Sequence, residues 1–308
     1  MPLISAASRT RARKLSYCYV LLLPTLVYFI VFHYVPMYGI IIAFKDFSIQ
    51  KGILGSSWAG LKNFNRLFES TIFYTVLRNT VVISVYRLLL GFPAPIIFAL
   101  GINEIAQRKL KSLVQTISYL PHFISWVVMA GIIMELLSPT RGAVNYLITL
   151  LGGEPVVFLS EPRYFRSILV ITGIWKEIGW GSIIYLAAIA GIPSEQYESA
   201  YIDGASHLGV IRHIILPSIL PVVSIMFILQ LGNVLNAGFD QVFNLYNPTV
   251  YEVGDIIDTY TYRVGLGNDM QYSYSTAVNF FKNLVGFILV VATNLLVRNI
   301  GEGENRIW

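Results

Sequence analysis

The chain has 308 residues, of which 55% are hydrophobic and only 13% are charged, and its mean hydropathy is +0.63. Repeated long apolar runs exclude an ordinary soluble globular protein and indicate a polytopic helical membrane protein. The single cysteine, Cys18, excludes a disulfide framework or a cysteine-based metal site within the chain. The net charge of +5 comes from basic residues that flank apolar runs, which is typical of membrane orientation and not of nucleic-acid binding.

The apolar runs predict an all-α fold with six transmembrane helices in one domain over residues 17–298. A basic tail at 1–16 precedes this domain, and a second tail at 299–308 follows it. The predicted spans cover residues 17–44, 71–100, 113–137, 166–190, 218–237 and 276–297.

The connecting segments differ in character. Residues 45–70 predict an exposed loop with a short interfacial helix, anchored by Trp58 and Phe64. The apolar residues at 143–151 have helical spacing but are too few to cross a bilayer, so we expect another interfacial helix. Residues 238–275 are polar, aromatic and acidic, and we expect a structured loop there.

Six spans place both termini on the same side of the membrane, and the charges indicate which side. The excess of Lys and Arg on the amino-terminal side is small, but the basic tail Arg9–Lys14 directly precedes the first span. Because the charges ahead of the first span usually dominate orientation, we expect both termini in the cytoplasm.

A polar segment at 191–217 interrupts the apolar pattern, and we call it the elbow. Ser194 is expected as a helix N-cap with Glu195 in the first turn. Tyr197, Ala200 and Tyr201 then form an apolar face, Gly204 ends the helix, and Ser206 caps a second short helix. A helix of about two turns is marginal alone in water, so the elbow should be supported by a partner or by the bilayer surface.

The spacing of the elbow is specific. Glu198-Ser199-Ala200, three residues, Gly204, nine residues and Ile214-Ile215-Leu216-Pro217 resemble the Glu-Ala-Ala loop of ATP-binding-cassette importer permeases. Ser199 stands where the family has its middle alanine. The resemblance implies a cytoplasmic coupling helix that docks on a separate ATPase through Tyr197, Glu198, Ser199, Ala200, Tyr201, Asp203, Gly204 and Ala205. A surface helix without a partner is the alternative.

The resemblance extends along most of the chain, and it is carried by short motifs. These motifs are Leu23-Pro24, Tyr34-Val35-Pro36-Met37-Tyr38-Gly39, Ala43-Phe44-Lys45-Asp46, Asn63-Phe64, Tyr119-Leu120-Pro121, Asn247-Pro248 and Tyr251-Glu252-Val253-Gly254-Asp255. They are similar to carbohydrate-uptake permeases of the lipo-oligosaccharide and polysaccharide type, and to the first of the two membrane subunits in such systems, including the alginate importer.

Family membership would imply a heterodimer with a second permease, two ATPase subunits, an extracytoplasmic solute-binding protein and a carbohydrate substrate, in a bacterial inner membrane. The chain has no Gly-Lys pair and therefore no phosphate-binding loop of its own. We accordingly expect a non-catalytic subunit without cofactor or metal, with ATP and magnesium bound by the partner ATPases.

Polar residues inside predicted spans are candidates for the substrate path, because they are costly in lipid and tend to face a cavity or a neighbouring helix. The candidates are Gln230, Asn233, Asn236, Asn279, Lys282 and Asn283. The three amides of the fifth span could instead hold helices together. Trp126, Trp175 and Tyr185 could stack on sugar rings or serve as lipid anchors, and Arg87, Glu135, Lys176 and Glu177 are given no transport role.

Lys282 has two interpretations. It could favour an anionic sugar such as a uronate, or it could neutralise a carboxylate of the partner permease or snorkel to an interface.

Two other classes compete with an ATP-driven importer. A membrane enzyme would need a clustered nucleophile, base or metal set, and the chain has neither His-x-x-x-His nor Gly-x-Ser-x-Gly. An ion-coupled secondary carrier of a small polar solute should show inverted repeats, and no repeat is evident.

Overall fold

The computed structural model describes residues 16–267 and 269–300. Residues 1–15 of the predicted basic tail and 301–308 of the second tail lie outside them. The described part is mainly helical, which confirms the all-α prediction. It contains five helices long and apolar enough to cross a membrane, and six if one bent pair is counted as a span.

These helices follow the order of the predicted spans, with bounds that differ by a few residues at most ends and by more at the third, fifth and sixth. The five long helices are Cys18–Phe44, Thr71–Asn103, Pro162–Ala190, His207–Gly232 and Tyr272–Ala292, and the bent pair is Arg108–Phe123 with Trp126–Leu136.

The third predicted span, 113–137, is not one continuous helix. Its two halves meet at an angle of 108°. The turn Leu120–Phe123 contains Pro121, which has no amide hydrogen to continue the helix, and Ser125 then begins a new helix by accepting a hydrogen bond from Val128 N at 3.4 Å.

Three π-helical turns occur in the described chain, at Ile30–Tyr34, Arg87–Gly91 and Ile211–Ile215. Each ends two residues before a proline: Pro36, Pro93 or Pro217. Because a proline ring clashes with the carbonyl four residues earlier, the preceding amide bonds one residue further back, as Phe92 N does to Arg87 O at 3.2 Å. The prolines thus change the local hydrogen-bond pattern of these spans without ending them.

The long spans contain one or more helical segments each, and shorter elements connect them. The α-helices of the described chain are Ser16–Phe29, Val35–Met37, Gly52–Gly55, Lys62–Glu69, Thr71–Tyr86, Pro93–Asn103, Arg108–Tyr119, Trp126–Leu136, Ala143–Leu150, Pro162–Ala190, Ser194–Ile202, His207–Val210, Leu216–Gly232, Phe239–Leu245, Tyr251–Gly254, Ile257–Leu266 and Tyr272–Ile300. The 3₁₀ turns are Tyr38–Phe44, Leu120–Phe123, Phe158–Ser160 and Pro248–Val250, and the strands are Lys45–Asp46 and Ser57–Trp58.

The chain divides into two compact units, the first formed by Met1–Phe68 and Val264–Phe280. In this unit the segment predicted as an exposed loop with a short helix has that helix at Lys62–Glu69 and, in addition, a small antiparallel hairpin with Lys45 opposite Trp58. The buried amide of Asn63 donates to Ala43 O at 2.9 Å and so ties the following helix to the hairpin. Hairpins of two-residue strands leave little periodic signal, which explains why sequence patterning missed this one.

The second unit comprises Glu69–Arg263 and Phe281–Trp308. The long helix Pro162–Ala190 passes through its core, where Phe165 and Leu169 are fully buried. The close packing shows at Gly179, where a Cβ atom would collide with the backbone at Ser118.

Residues 238–263 pack into the same core, because Val242, Leu245, Val250 and Ile256 are buried in it. A polar network completes this packing. The Asn79 side chain donates to Asp255 O at 3.1 Å and accepts from Arg166 Nη2 at 2.8 Å. Residues 238–263 of the predicted structured loop are therefore a folded part of the second unit, whereas residues from Val264 onwards belong to the first.

The carboxylate of Asp255 binds Arg263 within this network. Arg263 Nη1 lies 3.2 Å from Asp255 Oδ1, and its guanidinium lies 4.5 Å from the ring centre of Tyr251. Burial acts to lower the pKa of Arg263, but the hydrogen bond and charge of Asp255 outweigh it and raise this pKa above its ordinary value. Arg263 therefore stays charged beside Asp255.

Candidate functional site

The elbow forms the predicted first short helix, Ser194–Ile202, whereas the predicted second short helix, which begins at His207, is the start of the long helix His207–Gly232. Gly204 lies between them with φ of +79°, a left-handed conformation that suits glycine. Ala205 N donates to Ala200 O at 2.9 Å and Gly204 N to Tyr201 O at 3.1 Å, which is the Schellman pattern of a helix end. Ser206 accepts from Gly209 N at 3.2 Å, so its predicted capping role is confirmed.

The predicted N-cap at Ser194 is wrong by one residue. Pro193 is the N-cap, and Ser194 is the first residue of the helix. No side chain caps this helix end with a hydrogen bond. Pro193 has φ of −57° and ψ of 135°, so the chain is still extended there and turns helical only at the serine.

The elbow has a supported face and an exposed face. Tyr197, Ala200 and Ala205 pack against a core that includes the buried Val210 and Ile215. Glu198, Ser199, Asp203 and Gly204 are exposed, and so is Tyr201, which was predicted on the apolar face but does not join that core. The support that a two-turn helix needs is thus supplied by the chain itself, and the side chains that remain outside are free to meet another molecule.

Two exposed apolar residues extend this outer face beyond the predicted set. Ile202 is 85% exposed and Leu208 is 74% exposed. Exposed apolar side chains on a polar projection indicate a contact surface. Both residues are visible in the sequence as apolar positions in a polar segment, but neither is a position of the Glu198–Pro217 motif.

Local contacts stiffen the elbow. The hydroxyl of Ser199 donates to Gln196 O at 3.2 Å inside the helix, so the departure from alanine is accommodated without disturbing the surface. His207 Nδ1 lies 3.3 Å from Glu104 Oε2 in the preceding loop. Burial, and then the charges of Tyr201 and Glu104, raise the pKa of the Tyr197 phenol, which therefore stays neutral on the supported face.

A cavity of about 400 Å³ lies among the spans of the second unit. Its polar and aromatic lining comprises Arg87, Trp126, Glu177, Tyr185 and Gln230. The volume falls in the range of small-molecule sites, and convergent polar groups on apolar walls are typical of them. Two of these residues, Arg87 and Glu177, had no predicted transport role.

The bend of the third span is held beside this cavity by Lys176, a buried residue of the helix Pro162–Ala190. Its ammonium donates to the carbonyl oxygens of Pro121 at 3.1 Å, His122 at 2.7 Å and Ile124 at 2.6 Å. A break in a helix leaves carbonyls short of amide donors, although Pro121 O also accepts from Ile124 N at 3.2 Å. Lys176 therefore has a structural role, since its ammonium donates to the carbonyl oxygens at the helix break.

Glu177, the residue after Lys176, contacts the same bend through His122. Its Oε2 lies 3.0 Å from His122 Nδ1, and the His122 ring stacks on Trp180 with 4.6 Å between ring centres. The carboxylate that lines the cavity is thus already engaged by a neighbour.

Three of the six predicted path residues follow one another near the end of the helix Leu216–Gly232. Gln230 lines the cavity. The helix ends at Gly232, with Asn233 at its C-cap and Asn236 in the turn beyond, so the predicted helical face does not continue to Asn236. The cause is local, because Asn233 Nδ2 bonds to Leu229 O at 3.3 Å and the chain then turns through Gly238 at φ of +84°.

The other three predicted path residues lie on the helix Tyr272–Ile300. Asn279 and Asn283 are exposed. Lys282 is paired within the chain, since its Nζ lies 2.6 and 2.7 Å from the two carboxylate oxygens of Asp258. Neutralisation of a carboxylate by Lys282 was one of the two interpretations, although that carboxylate was expected in a partner chain.

Comparison with known proteins identifies the family of this chain. Residues 91–301 match the model of the binding-protein-dependent transport system inner membrane component. The polygalacturonan/rhamnogalacturonan transport system permease protein YteP of Bacillus subtilis is 46% identical over 93% of this chain and 89% of its own length. Protein LplB of the same organism is 42% identical over 92% of this chain and 89% of its own length.

Among crystal structures, the chain is similar to one from a bacterial ABC transporter involved in import of the acidic polysaccharide alginate. The TM-score is 0.88 at 40% identity, over 95% of this chain and 99% of that one. A second structure of the bacterial alginate transporter, in complex with a periplasmic protein bound to alginate pentasaccharide, gives 0.87 at 40% identity, over 95% and 98% of the two chains. The chain therefore belongs to the family of binding-protein-dependent transport system inner membrane components, and it is a multi-pass membrane permease.

Proposed function

We propose that the chain is one membrane subunit of an ATP-driven importer that moves an acidic oligosaccharide or polysaccharide from an extracytoplasmic binding protein into the cytoplasm. Family membership supports the class of machine. The names of two relatives support the substrate class, because polygalacturonan and alginate are both polymers of uronic acids. The exposed face of the elbow is the observation that carries the coupling role.

The elbow explains how another subunit could drive this one. Tyr197 and Ala200 pack on the core that contains Ile189 and Ile219, which belong to two spans. A force applied to Glu198 or Tyr201 on the outer face would therefore pass directly into the spans, since a packed core transmits displacement. The proposed docking surface comprises the exposed residues of the predicted set, together with the exposed Ile202 and Leu208. Tyr197, Ala200 and Ala205, also predicted to dock, pack on the core of the chain and would support that surface.

The rest of the assembly follows from the proposal. ATP and magnesium would be held by two ATPase subunits in the cytoplasm, where the elbow and both termini of this chain would lie. A second permease would complete the membrane pathway. Among the predicted path residues Gln230 has the strongest support, since it lines the cavity. Asn233, Asn236, Asn279, Lys282 and Asn283 remain predictions.

The test uses the assembled transporter in proteoliposomes with its binding protein. ATP-dependent uptake of an oligogalacturonate is measured for the wild type, for Glu198→Lys and for Glu154→Lys, a matched reversal at an exposed loop residue. Reversing a charge in a docking interface should reduce uptake and ATPase association about tenfold or more. The loop variant should behave as the wild type.

Two results would contradict the proposal. Equal uptake and ATPase association in Glu198→Lys would remove the docking role. Uptake driven by an ion gradient in vesicles without ATPase subunits would favour the alternative, an ion-coupled secondary carrier.

A further inference from the structure

Arg87 places a permanent positive charge inside a membrane-spanning helix. It begins the π turn Arg87–Gly91 in the middle of the span Thr71–Asn103. A charge at such a depth is costly and is usually paired or functional. Within the described chain no carboxylate lies within 4 Å of its guanidinium, whereas Lys282 in another span has Asp258. Arg87 is thus a cation without a countercharge in direct contact.

Neutral groups orient this guanidinium. The fully buried Gln241 donates from Nε2 to Leu169 O at 2.8 Å and to Thr172 Oγ1 at 2.7 Å. Because both amide hydrogens are used in this way, Gln241 Oε1 faces Arg87 and accepts from its Nη2. The side chain of Gln241 therefore positions Arg87 without cancelling its charge.

Glycine at 238 makes room for the same group. Gly238 has φ of +84°, and a Cβ atom there would collide with the guanidinium of Arg87. The backbone thus passes directly against the cation at a position where any other residue would be strained and would obstruct it. The Nε of Arg87 is buried and has no hydrogen-bond acceptor among the described residues.

The cavity that Arg87 lines has both polar and aromatic groups. Gln230 offers an amide that can donate to or accept from hydroxyl groups, and Trp126 adds aromatic surface, whereas Tyr185 is only 3% exposed. Glu177 also lines the cavity, but its carboxylate is engaged by His122 at 3.0 Å. A hydrogen bond to His122 does not cancel the charge of Glu177, but among the described residues no carboxylate lies within 4 Å of the Arg87 guanidinium.

We propose that Arg87, oriented by Gln241, binds the carboxylate of a uronate residue that passes through this cavity. A planar guanidinium can meet a carboxylate through two parallel hydrogen bonds, which gives both energy and orientation. This inference rests on the proposed function, and it names the group that distinguishes an acidic sugar from a neutral one. It assigns that task to Arg87 in place of Lys282.

The experiment compares two substrates in one preparation. The assembled transporter in proteoliposomes is given an oligogalacturonate and the same oligomer after reduction of its carboxylates to alcohols. The ratio of the two uptake rates is measured for the wild type, Arg87→Met, Arg87→Lys and Arg78→Met. Arg78 is the matched control, because it is an exposed arginine of the same span. A ratio is independent of how much of each variant folds.

We expect Arg87→Met to lower the acidic-to-neutral ratio about tenfold or more, since a hydrogen bond to a charged group is worth at least that factor. Arg87→Lys should keep part of the preference, because it retains the charge but loses the paired geometry. Arg78→Met should leave the ratio unchanged.

Other outcomes would overturn the inference. If the wild type prefers the acidic oligomer and Arg87→Met keeps that preference, Arg87 does not bind the carboxylate, and the proposed function stands. If the wild type imports only the reduced oligomer, or neither oligomer, both the acidic substrate and the role of Arg87 are wrong.

Discussion

The ammonium of Lys282 lies between the two carboxylate oxygens of Asp258, at 2.6 and 2.7 Å. Only 14% of the Lys282 side chain and 18% of the Asp258 side chain are exposed. The two residues are 24 positions apart, so the pair joins the helix Tyr272–Ile300 to the helix Ile257–Leu266. A lysine that seemed suited to an anionic substrate is thus compensated by its own chain.

Removal of one member of this pair should therefore destabilise the protein. Lys282→Met or Asp258→Asn alone should lower the free energy of unfolding by about 3–5 kcal/mol, because each leaves a buried partner group uncompensated. The double variant should recover much of that loss. Denaturant unfolding in detergent measures the four free energies, and additive losses would show that the pair is not coupled.

The same variants distinguish a structural role of Lys282 from a role in substrate selection. If Lys282 only balances Asp258, the double variant should keep the wild-type ratio of acidic to neutral uptake. A lowered ratio in the double variant would restore the interpretation in which Lys282 meets the sugar.

Lys176 should be required for the bent third span. Lys176→Met leaves the carbonyls of Pro121, His122 and Ile124 without their shared donor. A buried acceptor without a partner costs about 1–3 kcal/mol, so we expect an unfolding loss of at least that size. Lys109→Met, at an exposed lysine, is the control and should change stability little. Equal thermal unfolding of the two variants would contradict the role of Lys176.

The ion pair of Asp255 and Arg263 should hold the loop 238–263 in place. Asp255→Asn removes the carboxylate charge that Arg263 meets, and it weakens the bond accepted from Thr259 Oγ1 at 2.7 Å. We expect a loss of about 2–3 kcal/mol, below the range for fully buried pairs, because 33% of the Arg263 side chain is exposed.

Hydrogen exchange of the loop amides measures that loss directly. Asp240→Asn, at an exposed aspartate of the same loop, should leave exchange unchanged. Unaltered protection in Asp255→Asn would show that the apolar contacts alone retain the loop.

The effect of a substitution at Gly204 should depend on how readily the new residue adopts the left-handed backbone conformation found there. A Cβ at this position meets nothing within 4 Å, so the cost of Gly204→Ala is the left-handed strain of about 1–2 kcal/mol. Gly204→Asn should cost less because asparagine visits this region more readily, and Gly204→Pro should abolish the turn because proline cannot reach φ of +79°.

The control for this series is Gly101→Ala, a helical glycine with the same open space. It should be neutral or slightly stabilising, since alanine favours helix. ATPase association and hydrogen exchange of the elbow are the measurements. An order other than Gly, Asn, Ala and Pro would show that a partner contact, and not the backbone, selects glycine at 204.

The sequence by itself determined the membrane class, the order of the spans and the elbow. Those conclusions depend on local properties: apolar run length, proline and glycine positions, and the spacing from Glu198 to Pro217. The π turns before Pro36, Pro93 and Pro217 could also be predicted from sequence, because the proline clash that causes each turn involves neighbouring residues of the chain.

The tertiary structure alone decided which charges are free. Lys282 looked available and is paired with Asp258, while Arg87 looked incidental and meets Gln241 across 154 positions of sequence. Lys176 and Glu177 are adjacent in sequence, yet one satisfies carbonyls and the other engages His122 beside the cavity. A side chain's charge is read from its type, but its compensation depends on neighbours that only folding brings within hydrogen-bond distance.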